Sequence, residues 1–187
     1  MTATDNSIDT LTIREARRAD FPVLVDFLTK LALHVAGSPP LTLKKKERKR
    51  LQDILAAALA DDDKRLLVAE LSESGVVGMS YLYICHGQGI WKQTADQRFK
   101  SGVIDDTWVE PDYRQRGILS ALLRELVAFA ESRDVPELML EYSATNTEAQ
   151  ATWARLGFKT TGIRAEAFTA TVKEKLEKHP AKRPKTF

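Results

Sequence analysis

Between Val103 and Ala130 the chain passes from an apolar strand through a basic glycine turn directly into an amphipathic helix, and this stretch tells more about the chain than any other. The joint is the run Val109-Glu110-Pro111-Asp112-Tyr113-Arg114-Gln115-Arg116-Gly117-Ile118-Leu119. Beyond it, Leu119, Leu122, Leu123, Leu126 and Ala130 recur at helical spacing, so one face of the helix packs on a core. The start of such a helix presents unpaired backbone N–H groups and the positive end of the macrodipole. Gly117 lets a ligand approach the main chain, and Arg114 and Arg116 add cationic donors. A turn of this kind suits a pyrophosphate. A plain strand-turn-helix joint with surface arginines shows the same short pattern, so the turn alone does not decide between them.

The rest of the chain fits a mixed α/β architecture. Leu11, Ile13 and Glu15 open a strand, and Asp20-Phe21-Pro22 reads as the cap and first turn of a helix running to about His34. Gly37-Ser38-Pro39-Pro40 ends it. A second helix carries Leu51, Ile54, Leu55, Ala58 and Leu59 on one face, with Lys44, Lys45, Lys46, Arg48, Lys49 and Arg50 opposite. Strands are expected at 65–71 and 76–85, joined by a turn at 72–75, then at 103–109 after a long loop at 86–99. Leu138, Leu140 and Tyr142 alternate as a short buried strand within 137–142. Residues 159–162 and 168–172 read as closing strands, and 173–187 as a helix turn and a loose basic tail.

With 187 residues, 43% hydrophobic and 29% charged, the chain reads as one globular domain, 1–187, with its core at 11–172. A net charge of +2 argues against a dedicated nucleic-acid surface. The basic run at 44–50 and Lys182-Arg183-Pro184-Lys185 read first as solvated faces. Cys85 is the single cysteine, so no internal disulfide forms. The first ten residues are polar, unlike a signal peptide, and the apolar run 21–35 is too short to span a bilayer. These features point to the cytoplasm and away from membranes. His34, His86, His179 and Cys85 show no metal-ligand spacing, and no metal is expected. Gly87-Gln88-Gly89 lacks the third glycine and the helix of a dinucleotide fingerprint. Trp91, Lys92, Arg98 and Phe99 read equally as a cover for a ligand site or as a solvated connection. No pattern sets an oligomeric state, and a homodimer is compatible with the sequence.

A second segment carries Asn146, Ala149, Trp153 and the helix-ending Leu156-Gly157-Phe158. Taken with the basic turn, it resembles the GNAT superfamily of acyl-CoA-dependent N-acyltransferases. The family turn, Arg/Gln-x-x-Gly-x-Gly/Ala, matches Arg114, Gln115, Arg116, Gly117 and Ile118. Leu119 departs from it, since a small residue is usual there. The later signature, Asn-x-x-Ala and then Tyr-x-x-Leu-Gly-Phe, matches at Asn146, Ala149, Leu156, Gly157 and Phe158, with Trp153 in place of the tyrosine. The resemblance spans 11–172. It implies a mixed, mostly antiparallel sheet with helices on both faces, whose two central parallel strands, here 103–109 and 137–142, splay to admit the pantetheine arm. It also implies transfer of an acetyl group from acetyl-CoA to a primary amine, with the diphosphate on 114–119. Main-chain groups of Trp108 and Val109 would pair with the pantetheine, and the Val109 N–H would hold the thioester oxygen. Asn146 would touch the cofactor arm and Trp153 would pack against it.

An alkyl amine of pKa near ~10.4 is neutral in only about one molecule in a thousand at pH 7, and neutralising it costs roughly 4–5 kcal/mol. A carboxylate beside it therefore helps. Asp105 and Asp106 lie on the strand that lines the opening. Without a bulge, adjacent strand residues face opposite ways, so one of them serves. Asp105, in phase with Val109, is the first candidate base, and Asp106 is the second or a binder of a cationic acceptor. Trp153 donates a hydrogen bond but is no usable acid for the departing thiolate. A thiol of pKa near ~8.5 leaves tolerably near neutrality, and a positioned acid adds about 10²–10⁴-fold. Tyr142 or water is the candidate replacement, with a core aromatic the plainer reading of Tyr142. The expected acceptor is a small cationic amine, with a protein amino group as the other option. The alternatives to an enzyme are a non-catalytic acyl-CoA sensor and a basic interaction domain.

Overall fold

A computed structural model describes residues 9–37, 42–86, 100–162 and 164–178. The loop residues Trp91, Lys92, Arg98 and Phe99, the Gly87-Gln88-Gly89 run, His179 and the 182–185 run lie outside them. The chain divides into two compact units, 1–150 and 151–187.

The first unit is built on a five-stranded sheet: β1 (Leu11–Glu15), β2 (Lys64–Leu71), β3 (Gly75–His86), β4 (Lys100–Val109) and β5 (Leu138–Leu140), side by side in that order. The first four are antiparallel and β4–β5 is parallel. Helices α1 (Phe21–Ala36) and α2 (Lys45–Leu59) link β1 to β2, and α3 (Ile118–Ser132) crosses from β4 to β5. Hence the expected mixed α/β sheet forms, with a parallel pair joined over three residues of each strand.

One face of the sheet packs Leu66, Val68, Met79 and Trp108 against Phe21, Leu24, Val25 and Phe27 of α1 and Leu55 of α2. The fully buried leucines here contribute roughly 1.5–3 kcal/mol each. On the other face α3 buries Ile118, Leu122, Leu126, Phe129 and Ala130. The core stripe thus begins at Ile118, and Leu119 is only part-buried. Gly78 of β3 makes that packing close, because a Cβ there would meet Ile118 Cγ2 at 3.5 Å and the Trp108 carbonyl at 3.1 Å. The basic residues at the start of α2 are exposed, and so is Ile54 on its expected apolar face.

Arg14 of β1 secures the entry to α1. Its Nη1 and Nη2 donate to Asp20 at 2.8 and 3.0 Å, and its Nε donates to Glu70 at 2.6 Å. Asp20 therefore serves the strand rather than capping the helix that follows it.

Three expectations are corrected. The strand at 137–142 stops at Leu140, and Tyr142 is exposed rather than a core aromatic. Residues 159–162 form no strand, and 168–172 runs into helix α5 (Thr169–Lys178), which absorbs the first part of the expected tail. Helix α4 (Thr147–Arg155) precedes it. In the second unit the Trp153 ring meets Phe158 edge-on at 5.5 Å, and the Phe158 N–H donates to the Trp153 carbonyl. Phe168, Val172 and Leu176, four residues apart, are exposed.

Candidate functional site

The site starts where β4 runs on past the end of its parallel neighbour. β4 pairs with β5 only from Gly102 to Ile104, whose partners are Leu138 and Leu140. From Asp105 to Val109, β4 continues beside β3 alone, leaving one edge open. The Glu110 N–H donates to the Val77 carbonyl at 2.9 Å. Alternate residues of an antiparallel strand bond the same neighbour, so Trp108 and Glu110 turn their main-chain groups to β3. Thr107 and Val109 turn theirs to the open edge. The Val109 N–H thus points into the gap left by β5.

The carboxylates sit at a β-bulge. Ser80 pairs with Thr107 and Leu82 with Ile104, so Asp105 and Asp106 together oppose the single residue Tyr81. The extra residue changes the phase of the strand. Asp105 and Asp106 both fall on the side of Tyr81, and Asp105 is out of phase with Val109, contrary to the sequence reading. Burial, reinforced by the Asp105 charge, raises the Asp106 carboxyl to about 6. Asp105 is exposed. The Tyr81 hydroxyl is pushed up to about 12 by burial and by the charges of Asp105 and Asp61. Its ring lies 5.9 Å from that of Tyr83. Among the described residues, no cation forms a salt bridge with Asp105 or Asp106. Tyr81 and Tyr83 escaped the sequence reading because only the pairing register brings them to the acidic pair.

After β4, Pro111–Tyr113 makes one 3-10 turn and the chain doubles back to α3. Gln115 and Gly117 take left-handed conformations, with φ of 61° and 82°. Such residues curl successive N–H groups around an anion. A Cβ on Gly117 would meet nothing within 4 Å, so the turn is open to a ligand. The first turn of α3 adds unpaired donors, and the exposed Arg116 lies with its guanidinium 5.3 Å from the Tyr113 ring. These groups fit a diphosphate, and the open edge of β4 fits an extended amide chain.

Arg114 behaves otherwise. Its Nε donates to the Val109 carbonyl at 3.0 Å, its guanidinium lies 5.0 Å from the Trp108 ring centre, and its Nη1 is 3.9 Å from Glu148 Oε1. The Trp108 side chain is buried, donating to Glu110 Oε2 at 3.3 Å, and Lys30 pairs with Glu110 and Asp26. Asn146 caps α4, its Oδ1 accepting from the Ala149 N–H at 3.0 Å. Among the described residues, no group of three His, Cys, Asp or Glu side chains is placed to hold a metal ion. None of the described helices is long and apolar enough to cross a membrane.

Comparison with known proteins agrees with this geometry. The acetyltransferase (GNAT) family model matches residues 28–158, well over half of the chain. The ribosomal protein bS18-alanine N-acetyltransferase of Escherichia coli K12 is 40% identical over 63 residues, 34% of this chain and 43% of that protein. The chain thus spans less than half the length of the curated relatives it matches. A predicted acetyltransferase of Clostridium acetobutylicum, solved with acetyl-CoA, superposes with a TM-score of 0.69 at 18% identity, covering 87% of this chain and 98% of that one. Glucosamine-6-phosphate N-acetyltransferase of Arabidopsis thaliana gives 0.64 at 16% identity, covering 86% and 99%. At such identities the structural likeness is one of fold. With a strand edge left open beyond its short parallel neighbour, a basic glycine turn at the foot of α3 and a family match across both, the chain belongs to the GNAT acetyltransferase family.

Proposed function

We propose that the chain transfers an acetyl group from acetyl-CoA to a primary amine by direct attack. The observation that carries this reading is the pairing of an open β4 edge with a part-buried carboxylate at the bulge beside it. The turn at 115–119 and the Arg116 guanidinium hold the diphosphate. The open edge of β4 at Thr107 and Val109 takes the pantetheine amides as an added strand would, whereas Trp108, expected from the sequence to share in this, has its main-chain groups turned to β3. The Val109 N–H donates to the thioester oxygen and stabilises the negative charge that develops on it.

Asp106 takes the proton of the acceptor amine. Its raised carboxyl is a better matched base near neutrality than an ordinary aspartate, and it is ionised above about pH 6. Asp105, first choice on the sequence, is assigned here to binding: exposed and beside the base, it attracts the cationic acceptor. The amine nitrogen bonds to the carbonyl carbon to give a tetrahedral intermediate. The carbon–sulfur bond then breaks, the nitrogen releases its second surplus proton to water, and the thiolate takes one from water or from Tyr142, which water reprotonates. The acidic pair beside Tyr81 and Tyr83 favours a cationic small amine. The activity of the Escherichia coli relative adds peptides with an N-terminal alanine to the acceptors worth testing. Such a reaction suits the cytoplasm.

Release of free thiol from acetyl-CoA, followed over a panel of small amines and alanine-ended peptides, tests the proposal. Amine-dependent release that is lost in Asp106→Asn supports it. Acetyl-CoA binding without release from any acceptor favours a non-catalytic sensor, the reading to which Trp153 lends weight.

A further inference from the structure

The family resemblance casts Arg114 as a phosphate ligand, but its side chain is engaged with the end of β4. Val109 directs its carbonyl as well as its N–H to the edge that β5 has left. A main-chain carbonyl in that position lacks a strand partner, and such groups are seldom left unpaired. Arg114 Nε supplies the missing donor at 3.0 Å. The guanidinium also stacks near the Trp108 ring, its centre 5.0 Å away, and the exposed Glu148 adds a weak attraction at 3.9 Å. Trp108 is itself fixed through Glu110, which pairs with Lys30 of α1. The peptide group between Val109 and Glu110 is therefore held from β3 on one edge and from Arg114 on the other.

We propose that Arg114 is a positioning residue: it stands in for the departed strand at the Val109 carbonyl and so aims the Val109 N–H into the opening. Arginine suits this task because its planar fork hydrogen-bonds and stacks at once, which a lysine ammonium cannot do. The role rests on the acetyl-transfer reading. It predicts that Arg114 contributes to turnover, whereas Arg116 contributes to cofactor affinity.

The experiment compares Arg114→Ala and Arg114→Lys with the unaltered chain by calorimetric titration of CoA at several salt concentrations, by steady-state kinetics and by amide hydrogen exchange. We expect kcat to fall about tenfold or more in both variants, since small misplacements at a reacting centre are costly. The dissociation constant of CoA should stay within about threefold and its salt dependence should be unchanged, because no phosphate contact is lost. The Glu110 amide, bonded to the Val77 carbonyl, should exchange faster in both variants. A CoA affinity that weakens about tenfold with a shallower salt dependence would make Arg114 a phosphate ligand and overturn the proposal. Full turnover in Arg114→Lys, or unaltered exchange at Glu110, would also overturn it. If the unaltered chain binds no CoA, the acetyl-transfer reading fails, and exchange at Glu110 still decides whether the clamp exists.

Discussion

Replacing Asp106 with asparagine should make the protein more stable and less active, and both effects follow from one titration. The carboxyl is raised from the usual 3.8 to about 6 by burial and by Asp105. The folded state therefore keeps a proton that the unfolded chain has already released. Below about pH 4 the group is neutral in both states and costs nothing; stability then falls through the window from 4 to 6 and is level above it. A shift of roughly two units corresponds to about 3 kcal/mol, reduced somewhat because Asp105 neighbours Asp106 in the unfolded chain as well. Asparagine keeps the shape and removes the charge. For a domain of this size the gain corresponds to a rise in Tm of roughly 4–10 °C at pH 7.5, with little change at pH 4. The assay is thermal unfolding of both proteins across that range. Turnover should fall by about 10²–10⁴-fold in the variant, while in the unaltered chain it should rise with pH through about 6. An Asp106→Asn protein no more stable at pH 7.5 than its parent, or one that keeps full turnover, refutes the reasoning.

Three further outcomes are expected. Arg116→Ala should weaken CoA binding more at low than at high salt, as calorimetry would show; a loss independent of salt argues against a phosphate contact. Gly117→Ala should cost about 1–2 kcal/mol in urea unfolding through its left-handed φ alone, since a Cβ there meets nothing; an unchanged midpoint contradicts this. Asp20→Ala leaves Arg14 in a part-buried site with Glu70 and the Glu15 carbonyl, and should cost about 1–3 kcal/mol near neutral pH. Arg14 and the Arg17 amide hold the Asp20 carboxyl below the usual range, so its contribution is present above about pH 4 and is lost as the pH falls below that. The stability gap between variant and parent should narrow in acid, and a gap independent of pH would show that the ion pair is not its source.

What could be read from the sequence was mainly local. The glycine turn and α3 announce themselves because a left-handed glycine, flanking arginines and a leucine stripe all lie within a few turns of chain. The bulge does not, because one extra residue in β4 is defined only by pairing with β3, some twenty residues away. That single residue moves Asp105 out of phase with Val109 and brings Tyr81 opposite the acidic pair. The contact of Arg114 with the Val109 carbonyl is hidden for a related reason: a motif position says nothing about a carbonyl left open by the short β5. The end of the chain misled through composition, since Phe168, Thr169, Thr171 and Val172 favour strands. The helical signal there is the spacing of Lys173 with Glu177, 3.9 Å apart, and of Glu174 with Lys178, which form ion pairs along α5. Asn146 carries a capping signal as well as a family one, and its Oδ1 acts as the cap.

The central claim is that the open edge of β4 and the turn at 115–119 together receive acetyl-CoA. The most direct test is calorimetric titration of acetyl-CoA into the purified protein at modest salt, with dephospho-CoA and free acetate as controls. The account predicts micromolar binding that depends on the nucleotide portion and no heat from acetate. Absence of acetyl-CoA binding under those conditions would contradict it, leaving a family fold without the family's ligand.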